Sequence, residues 1–230
     1  MIPLKDVNPT ERFPVFTVSI IIICTLIFIR EISMPQIQLE QFVRDYGLVP
    51  SVLFNENIPL LYRLSRIFTS MFLHGSFAHL IGNMLYLWIF GNNIEDRLGH
   101  LRFLIFYLLC GIAAGLAQAS AFPDSSTPMI GASGAIAGVL GGYLIMFPGA
   151  RIITLVIIFY YITLQEIPAF IVIGIWFLLQ FMSSLGSLAG IQTGVAYIAH
   201  VGGFIAGLVL IMLFPKRKRH YRYLPDDYDF

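Results

Sequence analysis

The sequence predicts an all-α polytopic membrane protein: a six-transmembrane-helix bundle with a long outer first loop, forming a single domain over 1–230. Three observations carry this expectation. Hydrophobic residues make up 57% of the chain and charged residues 12%, and the mean hydropathy is +0.80, outside the usual mix of a soluble domain. Apolar runs near the ~20 residues needed to cross a bilayer fall at 14–30, 77–95, 101–122, 133–148, 168–187 and 194–214. With the N-terminus placed inside, ten of the 14 Lys and Arg residues fall on inside segments and four outside, so both termini are expected to be cytoplasmic, as in a bacterial-type plasma membrane. A net charge of +1 argues against a nucleic-acid-binding surface. Cys24 and Cys110 sit inside apolar runs rather than at disulfide spacings.

Taken in order, a short cytoplasmic N-terminus (1–13) carries Lys5 and Arg12 ahead of the first run. No small-x-small cleavage site follows that run, so it reads as a retained helix and not a signal peptide. The connection 31–76 mixes polarity with aliphatic residues, as in "LYRLSRIFTSMFLHG", and is expected at the outer interface, partly helical. The segment "RIITLVIIFYYITL", 151–164, is apolar but short and close to spans on both sides. It is expected to be interfacial, with a seventh span as the alternative. The cytoplasmic tail 215–230, with "KRKRHYR", reads as a stop-transfer anchor, with an anionic-lipid or partner site as the alternative.

Polar residues inside spans are costly and mark functional candidates, although a lone His or Asn is often an interhelical hydrogen bond and a Ser among glycines is often packing. "HGSFAHLIGNMLYLW" puts His79 and Asn83 one turn apart on one helix face, with His74 just outside. Ser133 opens the fourth span in "MIGASGAIAG", and His200 lies in the sixth in "YIAHVGG". All four intramembrane residues fall in the first turns of spans that run outside to inside. The fourth span is about 22 Å long at ~1.5 Å per residue, shorter than the ~30 Å hydrocarbon core, so its serine is expected at the floor of a water-filled recess.

Gly134, Gly138 and Gly142 repeat every fourth residue, as do Ala199, Gly203 and Gly207. Two such seams permit close backbone contact and would bring the Ser133 hydroxyl to the His200 imidazole, the geometry a general base needs to activate a serine. The Ser133 N–H, the His79 ring and the Asn83 amide are candidate oxyanion donors. No Asp or Glu lies at that depth to orient His200, so the expected unit is a Ser–His dyad and not a triad.

These residues resemble the rhomboid intramembrane serine proteases along nearly the whole chain. "HGSFAHLIGN" is similar to the family's His-x4-His-x3-Asn element, "GASGAIAG" to its Gly-x-Ser-Gly element and "AHVGGFIAG" to its Ala-His-x-x-Gly element. The resemblance implies a rhomboid-like bundle with Ser133 as nucleophile, His200 as base, and His79 and Asn83 in the oxyanion site. His74, Gly131, Gly134 and Gly203 would be structural residues near it, and Glu95 and Arg97 of "IEDRLG" structural at the cytoplasmic end of the second helix. Two departures are visible: the family's frequent Trp-Arg pair reads Ser65-Arg66, and the aromatic that some members place one turn after the nucleophile is Ala137. The latter puts ring stacking on His200 in doubt.

The implied function is a serine endopeptidase acting on transmembrane protein substrates within the lipid bilayer, near its outer leaflet, with no cofactor, metal or nucleic acid. The alternative is a non-proteolytic rhomboid-like protein that binds membrane clients; retention of both Ser133 and His200 favours the protease. A metal site built on His74, His79 and His200 is disfavoured, because residues five apart on one helix ligate poorly together.

Overall fold

The computed structural model describes residues 1–158, 160–190 and 194–217, most of them helical. The chain enters as a strand, β1 (Ile2–Asp6), and continues into α1 (Val15–Ile32). α1 begins after Pro14 without a local side-chain cap. Its first amides are met from a distance: the Glu95 carboxylate accepts from the Phe16 N–H at 2.9 Å, and from the Thr17 N–H and hydroxyl at 2.8 Å each. A carboxylate placed there satisfies orphan donors and faces the positive end of the helix dipole. His100 Nδ1 lies 2.6 Å from the same carboxylate.

The first connection is built from α2 (Gln36–Tyr46), α3 (Pro50–Leu53), α4 (Leu60–Thr69) and a 3-10 turn, Ser70–Phe72. The second apolar run forms α5 (Phe77–Tyr86), a π-helical turn at Leu87–Gly91 and α6 (Asn92–Leu98), without a break. Four further helices follow: α7 (His100–Ala121), α8 (Ser133–Met146), α9 (Ala169–Leu188) and α10 (Tyr197–Leu213). α1, α7 and α9 are each long and apolar enough to cross a membrane, and α8 and α10 are shorter apolar helices. The chain is therefore an integral, polytopic membrane protein. Helix ends fall within about three residues of the apolar runs read from sequence.

α8 is the centre of the bundle, with every residue from Gly134 to Tyr143 buried. Glycine makes this enclosure possible. A β-carbon at Gly203 would lie 2.0 Å from the Gly134 carbonyl oxygen, and one at Gly207 2.0 Å from that of Gly138. The expected seams thus meet, but three helices share the junction. The α-carbons of Gly134 and Gly138 turn toward Ala114 and Cys110 of α7, while Gly141, outside the expected repeat, faces the Phe204 carbonyl of α10.

The fold is not all-α. β2 (Arg151–Ile158) and β3 (Tyr161–Pro168) form an antiparallel hairpin, and β1 pairs with β2, giving a three-stranded sheet of order β1-β2-β3. Residues 151–158 and 161–164 of the run 151–164 are accordingly strand, so it does not form a seventh membrane-crossing helix. Its β-branched and aromatic residues suit a pleated surface, and β1, from a segment read only as a short cytoplasmic lead, supplies its neighbour. Behind the sheet, buried Asp6 accepts from the Tyr143 hydroxyl at 3.1 Å and from the Asn93 amide, and the Asn8 amide donates to the Tyr143 oxygen at 3.0 Å. Burial pushes the Asp6 carboxyl up from an ordinary 3.8 to about 6, outweighing the opposing hydrogen bond from Tyr143. After α10 the chain returns to this end, where the Arg217 N–H donates to the Arg97 carbonyl at 2.8 Å. The rest of the basic tail, Lys218, Arg219 and Arg222 included, lies outside the described residues.

Candidate active site

The loop before α8 is held from outside the helix. Leu48 and Met129 exchange backbone hydrogen bonds of 3.0 and 2.8 Å, and the Gly131 N–H donates to the Ser70 carbonyl at 2.8 Å. Gly131 has φ +120°, a left-handed conformation open to glycine and strained for other residues. A β-carbon there would also meet the His79 ring at 2.7 Å and the Asn83 amide nitrogen at 3.7 Å. The turn thereby lays the backbone entering α8 against both side chains. Ser133, as first residue of α8, keeps a backbone N–H that no intrahelical carbonyl can accept.

α10 brings the partner. His200, 9% exposed, sits one turn into that helix, and its Nε2 lies 2.7 Å from Ser133 Oγ. The Gly134–Gly203 contact explains the short reach, since it lets the two backbones approach where any larger residue would hold them apart. Of the residues read from sequence, Ser133 and His200 are thus joined directly, and His79 and Asn83 stand beside the turn that leads into Ser133.

His74, expected to be a structural residue near the site, holds one of its side chains. Its Nε2 accepts from the Asn83 amide at 3.0 Å, while its Nδ1 lies 3.3 Å from the Phe72 carbonyl. Donation from Nδ1 to that carbonyl leaves Nε2 free to accept. The His74 N–H is in turn held by the buried Glu31 carboxylate at 3.2 and 3.4 Å, and its ring meets that of His79 edge-on at 5.2 Å between centroids. One amide proton of Asn83 is fixed on His74, which orients the other.

Two residues of α9 complete the surroundings of His200, and neither is among those read from sequence. Gln180 Oε1 lies 2.7 Å from His200 Nδ1. The Trp176 ring, one turn earlier, lies 5.9 Å from the imidazole at a 40° tilt. An aromatic neighbour is thus present although position 137 is alanine; it comes from a different helix. Gln180 carries a usable signal, a lone amide in the apolar "FLLQFM", which the rule for intramembrane polar residues singles out. Trp176 carries none, because an aromatic in an apolar helix is ordinary.

Comparison with known proteins bears on the family. The family described as the Rhomboid domain matches residues 62–217. "RHOMBOID-like protein 5" of Arabidopsis thaliana is 27% identical over 168 residues, covering 71% of this chain and 50% of the relative. "Rhomboid protein 1, mitochondrial" of Saccharomyces cerevisiae is 33% identical over 152 residues, covering 61% and 39%. "Rhomboid protease GluP" of Bacillus subtilis is 44% identical over 79 residues, covering 34% and 15%. The chain spans half the length or less of these relatives. With two thirds of its residues matched by one family, the chain belongs to the rhomboid family.

Proposed function

We propose that this protein is an intramembrane serine endopeptidase that cleaves transmembrane segments of other membrane proteins, with Ser133 as nucleophile and His200 as general base. The observation that carries the reading is the 2.7 Å approach of His200 Nε2 to Ser133 Oγ at the start of a short, enclosed helix. The relative named as a protease supports it.

The chemistry follows from the atoms present. Nε2 takes the hydroxyl proton as Oγ attacks the scissile carbonyl carbon. The carbonyl electron pair moves onto oxygen, which the Ser133 N–H, the Asn83 amide and the His79 ring are arranged to receive. The imidazolium then gives its proton to the leaving nitrogen, the C–N bond breaks, and water, deprotonated by the same ring, releases the acyl group.

In this reading the chain crosses the membrane six times, with α5, its π turn and α6 together making the second span, and with both termini on the basic, cytoplasmic side. Ser133 then opens toward the outer leaflet. Substrates are helices whose outer end unwinds, since a helical peptide bond hides its carbonyl in an internal hydrogen bond.

Membranes from cells expressing wild type and Ser133→Ala test this by mass spectrometry of membrane-protein fragments. Fragments unique to wild type, cut near the outer ends of single spans, are expected. Identical fragment sets would leave the client-binding reading, and cuts at cytoplasmic ends would contradict the topology.

A further inference from the structure

His200 has two ring nitrogens, and only one suits a base facing Ser133. A neutral imidazole carries a single proton, so Nε2 has a free lone pair for the hydroxyl only when the proton sits on Nδ1. What fixes that proton is an accepting partner for Nδ1, and among the described residues no carboxylate is hydrogen-bonded to it. Gln180 Oε1, 2.7 Å from Nδ1, is such a partner. An amide oxygen accepts only.

We propose that Gln180 is the positioning residue of His200: its side-chain carbonyl accepts the Nδ1–H and holds the ring in the tautomer whose Nε2 faces Ser133. The proposal rests on the protease reading for its consequence in catalysis, but the contact itself does not. The same oxygen faces the positive charge that develops on the ring when Nε2 takes the serine proton, so it serves the transition state as well as the resting geometry. A neutral acceptor does this more weakly than a carboxylate, without placing a buried negative charge in the bundle.

The placement on α9 is specific. Trp176 and Gln180 are four residues apart, hence on one helix face, and both reach the imidazole, the first beside its ring and the second at Nδ1. α9 is otherwise peripheral, with only Ala169, Val172, Ile173 and Ser184 buried along its length. The His200 contact is therefore its polar tie to the catalytic end of the bundle.

Gln180→Leu, which keeps the shape and removes the acceptor, and Gln180→Glu, which restores it with charge, test the proposal in the full chain. For Gln180→Leu, kcat should fall roughly 10- to 100-fold with KM unchanged, part of the ~10²–10⁴ that general-base catalysis supplies. Gln180→Glu should recover activity and move the acid limb of the pH–rate profile to higher pH, because a carboxylate stabilises the protonated ring; a packing role alone would leave that limb in place. Nitrogen-15 histidine spectra provide a readout without turnover: wild type should show the Nδ1–H tautomer, and Gln180→Leu a mixture. Wild-type kcat in Gln180→Leu, an unmoved acid limb in Gln180→Glu, or an Nε2–H tautomer in wild type would overturn the proposal. If wild type cleaves nothing yet loses its Nδ1–H tautomer in Gln180→Leu, the protease reading fails and the Gln180 assignment stands.

Discussion

Gly203 of α10 rests on the carbonyl of Gly134 in α8 so closely that a β-carbon at position 203 would lie 2.0 Å from that oxygen. The contact sits three residues from His200 and one from Ser133, so the spacing of the two helices and the spacing of the two reactive groups are one quantity. Gly203→Ala should push α10 outward, costing on the order of 1–3 kcal/mol as overpacking usually does, and lower turnover more than tenfold. Gly174→Ala is the control: nothing lies within 4 Å of a β-carbon there, and alanine in place of an interior helical glycine should be neutral or stabilising by about 1 kcal/mol. Denaturation midpoints and turnover of the two variants check this; equal behaviour would show that the seam is not tight.

The proposed oxyanion site predicts a graded series. Asn83→Ala and His79→Ala should each lower kcat with little change in KM, by up to the ~10²–10³ typical of one lost donor. His74→Ala should act through Asn83, whose amide it holds at 3.0 Å, giving a smaller loss that does not multiply with that of Asn83→Ala. Steady-state kinetics on the three single variants and the His74/Asn83 double variant decide it.

How far all this is legible from sequence depends on range. Helices with ~20 apolar residues announce themselves, and so do Ser133 and His200, because a polar group in lipid needs a reason. The sheet does not. "RIITLVIIFYYITL" has no period that separates a buried strand from a short helix, and its pairing with Ile2–Asp6 joins segments nearly 150 residues apart. The His74–Asn83 and Gln180–His200 contacts are hidden for a related reason. Each depends on where a ring nitrogen points, which spacing cannot convey.

Glu95 is predicted to matter for stability and not for chemistry. Glu95→Ala strips the amides of Phe16 and Thr17 and the buried Thr17 hydroxyl of their acceptor, a loss of about 1–3 kcal/mol if one such group stays unsatisfied. Unfolding in a denaturing detergent should shift accordingly, while turnover per folded molecule should hold. A selective loss of turnover would place Glu95 in the mechanism instead.

Asp6 gives the sheet a pH dependence with a definite sign. Its carboxyl is raised from 3.8 to about 6, so between those values the folded protein holds a proton that the unfolded chain has released. Its contribution to stability is therefore greatest below the lower value and declines as pH rises through about 6. Asp6→Asn keeps an acceptor for Tyr143 and Asn93 without the charge, and should remove this component. Hydrogen exchange in β1 at pH 4.5 and 7.5 should show stronger protection at the lower pH in wild type and little difference in Asp6→Asn; the opposite slope would contradict the burial of Asp6.

The pairing of Ser133 with His200 is tested most directly by a fluorophosphonate, which forms a covalent adduct only with an activated hydroxyl. Peptide mass spectrometry of the labelled wild type should find the adduct on Ser133. Ser133→Ala and His200→Ala should both remain unlabelled, and their double variant should lose no more activity than either alone, as expected when two residues act as one unit. An adduct elsewhere, or undiminished labelling of Ser133 in His200→Ala, would contradict the account.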